Sequence, residues 1–149
     1  MTYYVVELRS LECIDHSSGP GNDDIYVNMQ TDKSSDVTHQ IPPYPSVSTT
    51  HSWDIPPNTT MDFQNNLAGG KVGSHLQDGS FVAGSDMTFV FENKGWVSVY
   101  DYDTSSDDDY LGQVEITPND PMNKLVRKQV MGSTDGGYYF LNFVLTKCC

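Results

Sequence analysis

An all-β antiparallel sandwich of about eight strands is the fold class this sequence predicts. Three observations lead there. Short runs alternate apolar and polar residues, Gly, Pro and Asn cluster between those runs, and no stretch has the long, capped 3.6-residue apolar period of a substantial helix. A closed β-barrel fits the same pattern, because periodicity identifies strands without identifying their partners.

Taken in order, "YYVVEL" (3–8) and "IYVNMQ" (25–30) read as short strands, and the Gly, Pro and Asn of "ECIDHSSGPGNDD" make the segment between them a loop. Residues 31–85 are weaker. Their prolines restrict strands to edges or short pieces, with Trp53 and Phe63 as core anchors, and "QNNLAGGKVGSHLQDGS" reads as a polar connection with one short strand. "DMTFVFE" (86–92) and "WVSVYDYD" (96–103) alternate about "NKG", which resembles a hairpin connection. In "GGYYFLNFVL", Tyr139, Leu141, Phe143 and Leu145 share one face by the two-residue period.

A chain of 149 residues suits one domain, here 1–149, with a sizeable core. Eight Lys plus Arg against 20 Asp plus Glu give a formal charge of −12, which disfavours nucleic acid and favours a basic partner or a divalent cation. No apolar run approaches the roughly 20 residues of a membrane-crossing helix. The opening "MTYYVVELRS" lacks the basic start and apolar run of a leader, so the expected location is cytoplasmic or peripheral to a membrane, with a secreted form left open. In that setting Asn58 of "NTT" reads as an unmodified loop residue. Cys13 reads as a buried thiol, and Cys148 and Cys149 as an inert tail, with lipidation the alternative.

The segment "DYDTSSDDDYLG" (101–112) places Asp101, Asp103, Asp107, Asp108 and Asp109 within nine positions after a strand. Such like charge is offset by solvent or by a cation, since the local sequence offers little base. An EF-hand loop started at Asp101 fails: Ser106 stands where the tight-turn glycine belongs and Gly112 where the bidentate glutamate belongs. Zinc is disfavoured by the absence of paired His or Cys ligands nearby, and magnesium by its small, partly hydrated octahedral shell.

Asp101, Asp103, Asp109 and Gly112 follow a strand in the pattern Asp, any residue, Asp, five residues, Asp, two residues, Gly. This resembles the third calcium-binding loop of C2 domains, a family of calcium-binding β-sandwiches that dock to membranes or proteins. "IDHSSGPGNDDIYVNM" resembles the family's first calcium loop and the strand after it. The resemblance covers most of the chain, and its start at the strand feeding the first loop resembles the circularly permuted C2 topology. Ile25 replaces the usual proline, extra residues separate Asp15 from Asp24, and 31–85 match poorly.

The resemblance implies Ca2+ as cofactor, with Asp15, Asp24, Asp101, Asp103 and Asp109 as ligands and Asp23, Asp107 and Asp108 as additional candidates. It implies a noncatalytic module that docks to an anionic phospholipid or a protein partner. The loop tips "HSSGPGN" and "TSSDD" carry no apolar anchor, and no local polybasic patch accompanies them. The alternatives are a solvated acidic cap, a calcium-stabilised structural or glycan-binding sandwich, and a metal-dependent hydrolase. For the last, no order of Ser, His and Asp stands out as a triad. His16 falls in the first loop near the expected metal, whereas His39, His51 and His75 read as surface residues.

Overall fold

Twelve strand segments are present among the described residues: β1 (Tyr3–Ser17), β2 (Asp23–Thr31), β3 (Thr38–Ile41), β4 (Trp53–Ile55), β5 (Thr59–Asp62), β6 (Leu67–Ala68), β7 (Lys71–Val72), β8 (Thr88–Phe91), β9 (Gly95–Asp101), β10 (Asp109–Ile116), β11 (Leu125–Gln129) and β12 (Gly136–Cys148). The computed structural model describes residues 2–19, 21–32, 38–41, 52–63, 67–68, 71–72, 87–104 and 106–148. The readings of His51, His75 and Cys149, and much of the polar connection around 64–80, lie outside them, as do the side chains of His39 and Lys71. Among the described residues no helix is long and apolar enough to cross a membrane.

The segments form two antiparallel sheets. One runs β11-β12-β1-β5-β6-β7, with β8 on the same edge of β1 as β5; the other runs β10-β9-β2-β3, with β4 beside β3 along β2. The last strand lies against the first over the full length of β1, from Tyr3 opposite Cys148 to Ser17 opposite Gly136. Alternation sends one face of each sheet inward. Val6, Leu8, Leu11, Tyr139, Leu141, Phe143 and Leu145 from the first sheet meet Ile25, Val27, Met29, Val97, Val99 and Val114 from the second in a single buried cluster. Trp53 and Phe63 join it edge to face, with centroids 5.5 Å apart and planes at 86°. Cys13 is buried as expected, and burial pushes its thiol up to about 11.

Two local expectations are corrected. The first strand does not stop at residue 8 but runs to Ser17, leaving a shorter loop at 18–22. Irregularities between Leu8 and Ser10 and between Cys13 and Asp15 shift the phase of the alternation, so inward positions pass from Val6 and Leu8 to Leu11 and Cys13. Read as an unbroken two-residue period, the sequence loses the strand at the first bulge.

The second correction concerns "NKG", which is not a hairpin turn. β8 pairs with β1 in one sheet, whereas β9 pairs with β2 and β10 in the other, so the chain crosses between sheets there. The N–H groups of Glu92, Asn93 and Lys94 are satisfied by the Asp32 carboxylate rather than by a facing strand. Gly95 suits the crossing because Phe89 lies directly over it: a Cβ there would come 2.5 Å from Phe89 Cε2.

Candidate metal centre

At one end of the sandwich the register brings the acidic residues of four strands together. Asp101 ends β9 and stands opposite Asp109 at the start of β10. On the other side Asp101 faces Ile25 of β2, and Asp24 stands opposite Asp54 of β4. The join between β2 and β9 is locked on both sides of the peptide: Asp24 N–H donates to Asp101 Oδ1 at 2.7 Å, and Tyr102 N–H donates to the Asp24 carbonyl at 2.8 Å.

The loop after β9 folds back over this join. Asp108 is its organiser, accepting the Asp103 N–H at 3.0 Å on one oxygen and the Tyr26 hydroxyl at 2.6 Å on the other. Tyr26 stands in a row with Tyr100 and Tyr110 across the sheet, the first two rings stacked 5.2 Å apart. Asp108 is therefore tied to this aromatic row through Tyr26, and burial, followed by Asp108, raises the Tyr26 phenol above its ordinary range. Gly112 lets β10 bulge past Tyr110. Its φ is +115°, and a Cβ would meet the Met131 carbonyl oxygen at 2.6 Å, so the glycine of the loop pattern has a steric cause.

Asp101, Asp103 and Asp109 converge: each offers a carboxylate oxygen, and the three lie within 4.8 Å of one another. Burial, then the charges of Asp54, Asp23 and Asp103, push the Asp24 carboxyl up to about 6. Burial also pushes Asp101 up to about 7; the Asp24 N–H opposes that rise, and Asp23, Asp24 and Asp103 add to it. Asp109 is raised to about 6 by burial and then by Asp135 and Asp103, which lie against it. Ion pairs between described residues go to Glu7, Glu12, Glu115 and Asp120, so among those residues no Lys or Arg pairs with the cluster.

The other residues singled out in the sequence occupy different settings. Asp15 is exposed and lies on β1 opposite Tyr138, outside the group of three. Asp23 is buried at 2 % exposure and faces the core. Asp107 is exposed on the loop, and His16 lies on β1, its Nδ1 2.6 Å from the Ser17 carbonyl. Two acids that sequence reasoning missed join the neighbourhood. Asp54 is brought to Asp24 by strand pairing, and Asp135, held by the Ser18 hydroxyl at 2.6 Å, is brought to Asp109 by the turn before β12. Asp54 carried a faint signal, a polar residue between the inward Trp53 and Ile55; Asp135 looked like an ordinary turn residue in "STDGG".

No protein-family model matches the chain, and no curated protein does either. Among solved structures, a C2 domain of a plant extended synaptotagmin 1 superposes with a TM-score of 0.53 at 10% identity, over 98% of this chain and 93% of that one. The chain has a C2-like fold. Human GIVD cytosolic phospholipase A2 is also similar, at 15% identity and a TM-score of 0.49 over 97% of this chain; this chain spans 16% of that enzyme. Within the C2-like fold, the converging aspartates occupy one end of the sandwich, and their all-oxygen donor set has the chemistry that hard divalent cations prefer.

Proposed function

We propose that this chain is a single-domain, noncatalytic calcium-dependent docking module that captures an anionic lipid headgroup at its acidic end. The observation that carries the reading is the convergence of Asp101, Asp103 and Asp109 without a basic partner among the described residues. Burial, and then the neighbouring carboxylates, hold the Asp101 and Asp109 carboxyls above their usual range, and the negative charge that three converging carboxylates carry when ionised is what a divalent cation offsets. Calcium takes roughly six to eight oxygen ligands at flexible geometry, which suits carboxylates drawn from separate loops better than the tight shell of magnesium.

In this reading Asp101, Asp103 and Asp109 hold the ion, Asp24 and Asp15 add to the shell from the β1–β2 side, and Asp108 shapes the loop instead of binding. Bound calcium supplies positive charge with open coordination positions, which a phosphate or carboxylate oxygen fills. The sandwich also presents apolar surface near this end: Ile14, beside Asp15, is 39% exposed, and Tyr138, opposite Asp15, is 44% exposed. They give a docked headgroup an apolar flank that the loop tips lack.

Flotation with phosphatidylserine vesicles, run with calcium and with chelator, tests the reading. Calcium-dependent flotation that is lost in Asp103→Asn and Asp109→Asn is the expected result. Saturable calcium binding without flotation would overturn the lipid step and point to a protein partner or a structural ion; no binding at millimolar calcium would overturn the reading as a whole.

A further inference from the structure

Asp23 differs from every neighbouring acid in where its carboxylate goes. Successive strand residues point to opposite faces, so Asp23 inward places Asp24 outward toward Asp54 and Asp103. The buried carboxylate accepts the Ser17 N–H at 2.8 Å, the Ser17 hydroxyl at 2.5 Å and the Tyr139 hydroxyl. Those donors come from the last residue of β1 and from β12, so one side chain ties together both ends of the 18–22 loop and fastens them to the neighbouring strand. A polar side chain this deeply buried needs such partners, because leaving its oxygens unsatisfied is costly.

We propose that Asp23 is a positioning residue for the calcium site: it pins the β1–β2 loop so that Asp24 faces the ion, without itself touching the ion. The proposal rests on the calcium reading and deepens it. Partners that orient metal ligands commonly matter almost as much as the ligands, their loss costing about 10–100-fold in affinity.

Calcium titration calorimetry on folded protein separates the alternatives. Asp23→Asn, which turns one of the two accepting oxygens into a donor, is expected to weaken binding by about 10–100-fold. Tyr139→Phe and Ser17→Ala keep the carboxylate and each remove one donor, and both are expected to weaken binding by a smaller factor. A direct ligand role for Asp23 predicts unchanged or tighter binding in those two variants, because the carboxylate is freed. A role in folding alone predicts lower melting temperatures with unchanged affinity. Either result overturns the proposal, and Tyr139→Phe decides it if Asp23→Asn does not fold. In the metal-free protein, NMR should find the Ser17 amide shifted downfield and slow to exchange, with both features lost in Asp23→Asn. If the parent protein binds no calcium, the calcium reading fails on its own, and a Ser17 amide that exchanges freely rejects the pin independently of it.

Discussion

The two ends of β2 handle aspartate in opposite ways. At the end away from the cluster, Asp32 spreads its two oxygens over the consecutive N–H groups of Glu92, Asn93 and Lys94, at 2.9 to 3.2 Å. At the other end Asp101 takes one backbone N–H, and Asp103 and Asp135 both lie against Asp109. Asp32 has its charge answered by the fold and serves as a clamp on the sheet crossing. The cluster has its charge left largely unanswered, so a proton or a cation completes it. Both sites are acidic; backbone donors make the difference between them.

The largest expected effect is on calcium affinity. Asp103→Asn removes a charged oxygen donor from the converging group and should weaken binding by roughly a hundredfold, since ligand charge sets calcium affinity over decades. Asp32→Asn should leave the affinity unchanged. Calorimetry on both variants breaks the comparison if Asp32→Asn loses binding as strongly as Asp103→Asn does.

A second effect follows for stability. An ion that binds only the folded chain raises the unfolding free energy by about 2.7 kcal/mol at a hundredfold excess over its dissociation constant. Differential scanning fluorimetry in calcium and in chelator should show that gain in the parent protein and in Asp32→Asn, and little of it in Asp103→Asn. An unchanged transition in the parent at demonstrated saturation would mean that the ion is not linked to the native state.

How much of this was legible beforehand depended on the range over which each interaction acts. The final strand was readable because Tyr139, Leu141, Phe143 and Leu145 keep one phase and all four are buried. β1 was cut short because bulges shift its phase, and the false hairpin arose because alternation on both sides of "NKG" says nothing about which sheet each strand enters. Asp101, Asp103 and Asp109 could be seen as a group because one loop holds them all. Asp54 and Asp135 could not, since their proximity depends on register between segments far apart in the chain. Asp23 and Asp24, adjacent and identical in type, were separable only once the inward face of β2 was known.

Removing the clamp itself should have a moderate effect. Asp32→Ala leaves three backbone N–H groups at the crossing without their carboxylate, a loss of about 1–3 kcal/mol as judged by the cost of unsatisfied polar groups, reduced where water replaces the lost acceptor. Urea unfolding in chelator measures it. Asp101→Asn under the same conditions should move the other way, because it relieves repulsion while leaving an oxygen to accept the Asp24 N–H. If both substitutions destabilise the metal-free protein alike, the contrast between answered and unanswered charge is wrong.

The last expected effect is a pH slope, and its sign differs between the metal-free and calcium-bound states. Without calcium, Asp24, Asp101 and Asp109 hold their protons up to about 6, 7 and 6, against an ordinary value of 3.8 in the unfolded chain. Between those limits the native state binds more protons than the unfolded state, so the unfolding free energy falls as pH rises. The stability is fully present below the unfolded value and is lost through the folded ones, flattening above about pH 7 for these three groups. Saturating calcium removes the protons from its ligands, so the native state then binds fewer than the unfolded chain and the slope reverses. Urea midpoints followed from about pH 4 to 7 should therefore decline in chelator and climb in calcium. Asp101→Asn, which deletes the most strongly raised of the three, should flatten the metal-free decline. A metal-free stability that rises across this interval would mean that the carboxylates do not converge before the ion arrives, and that calcium assembles the loop end instead of filling it.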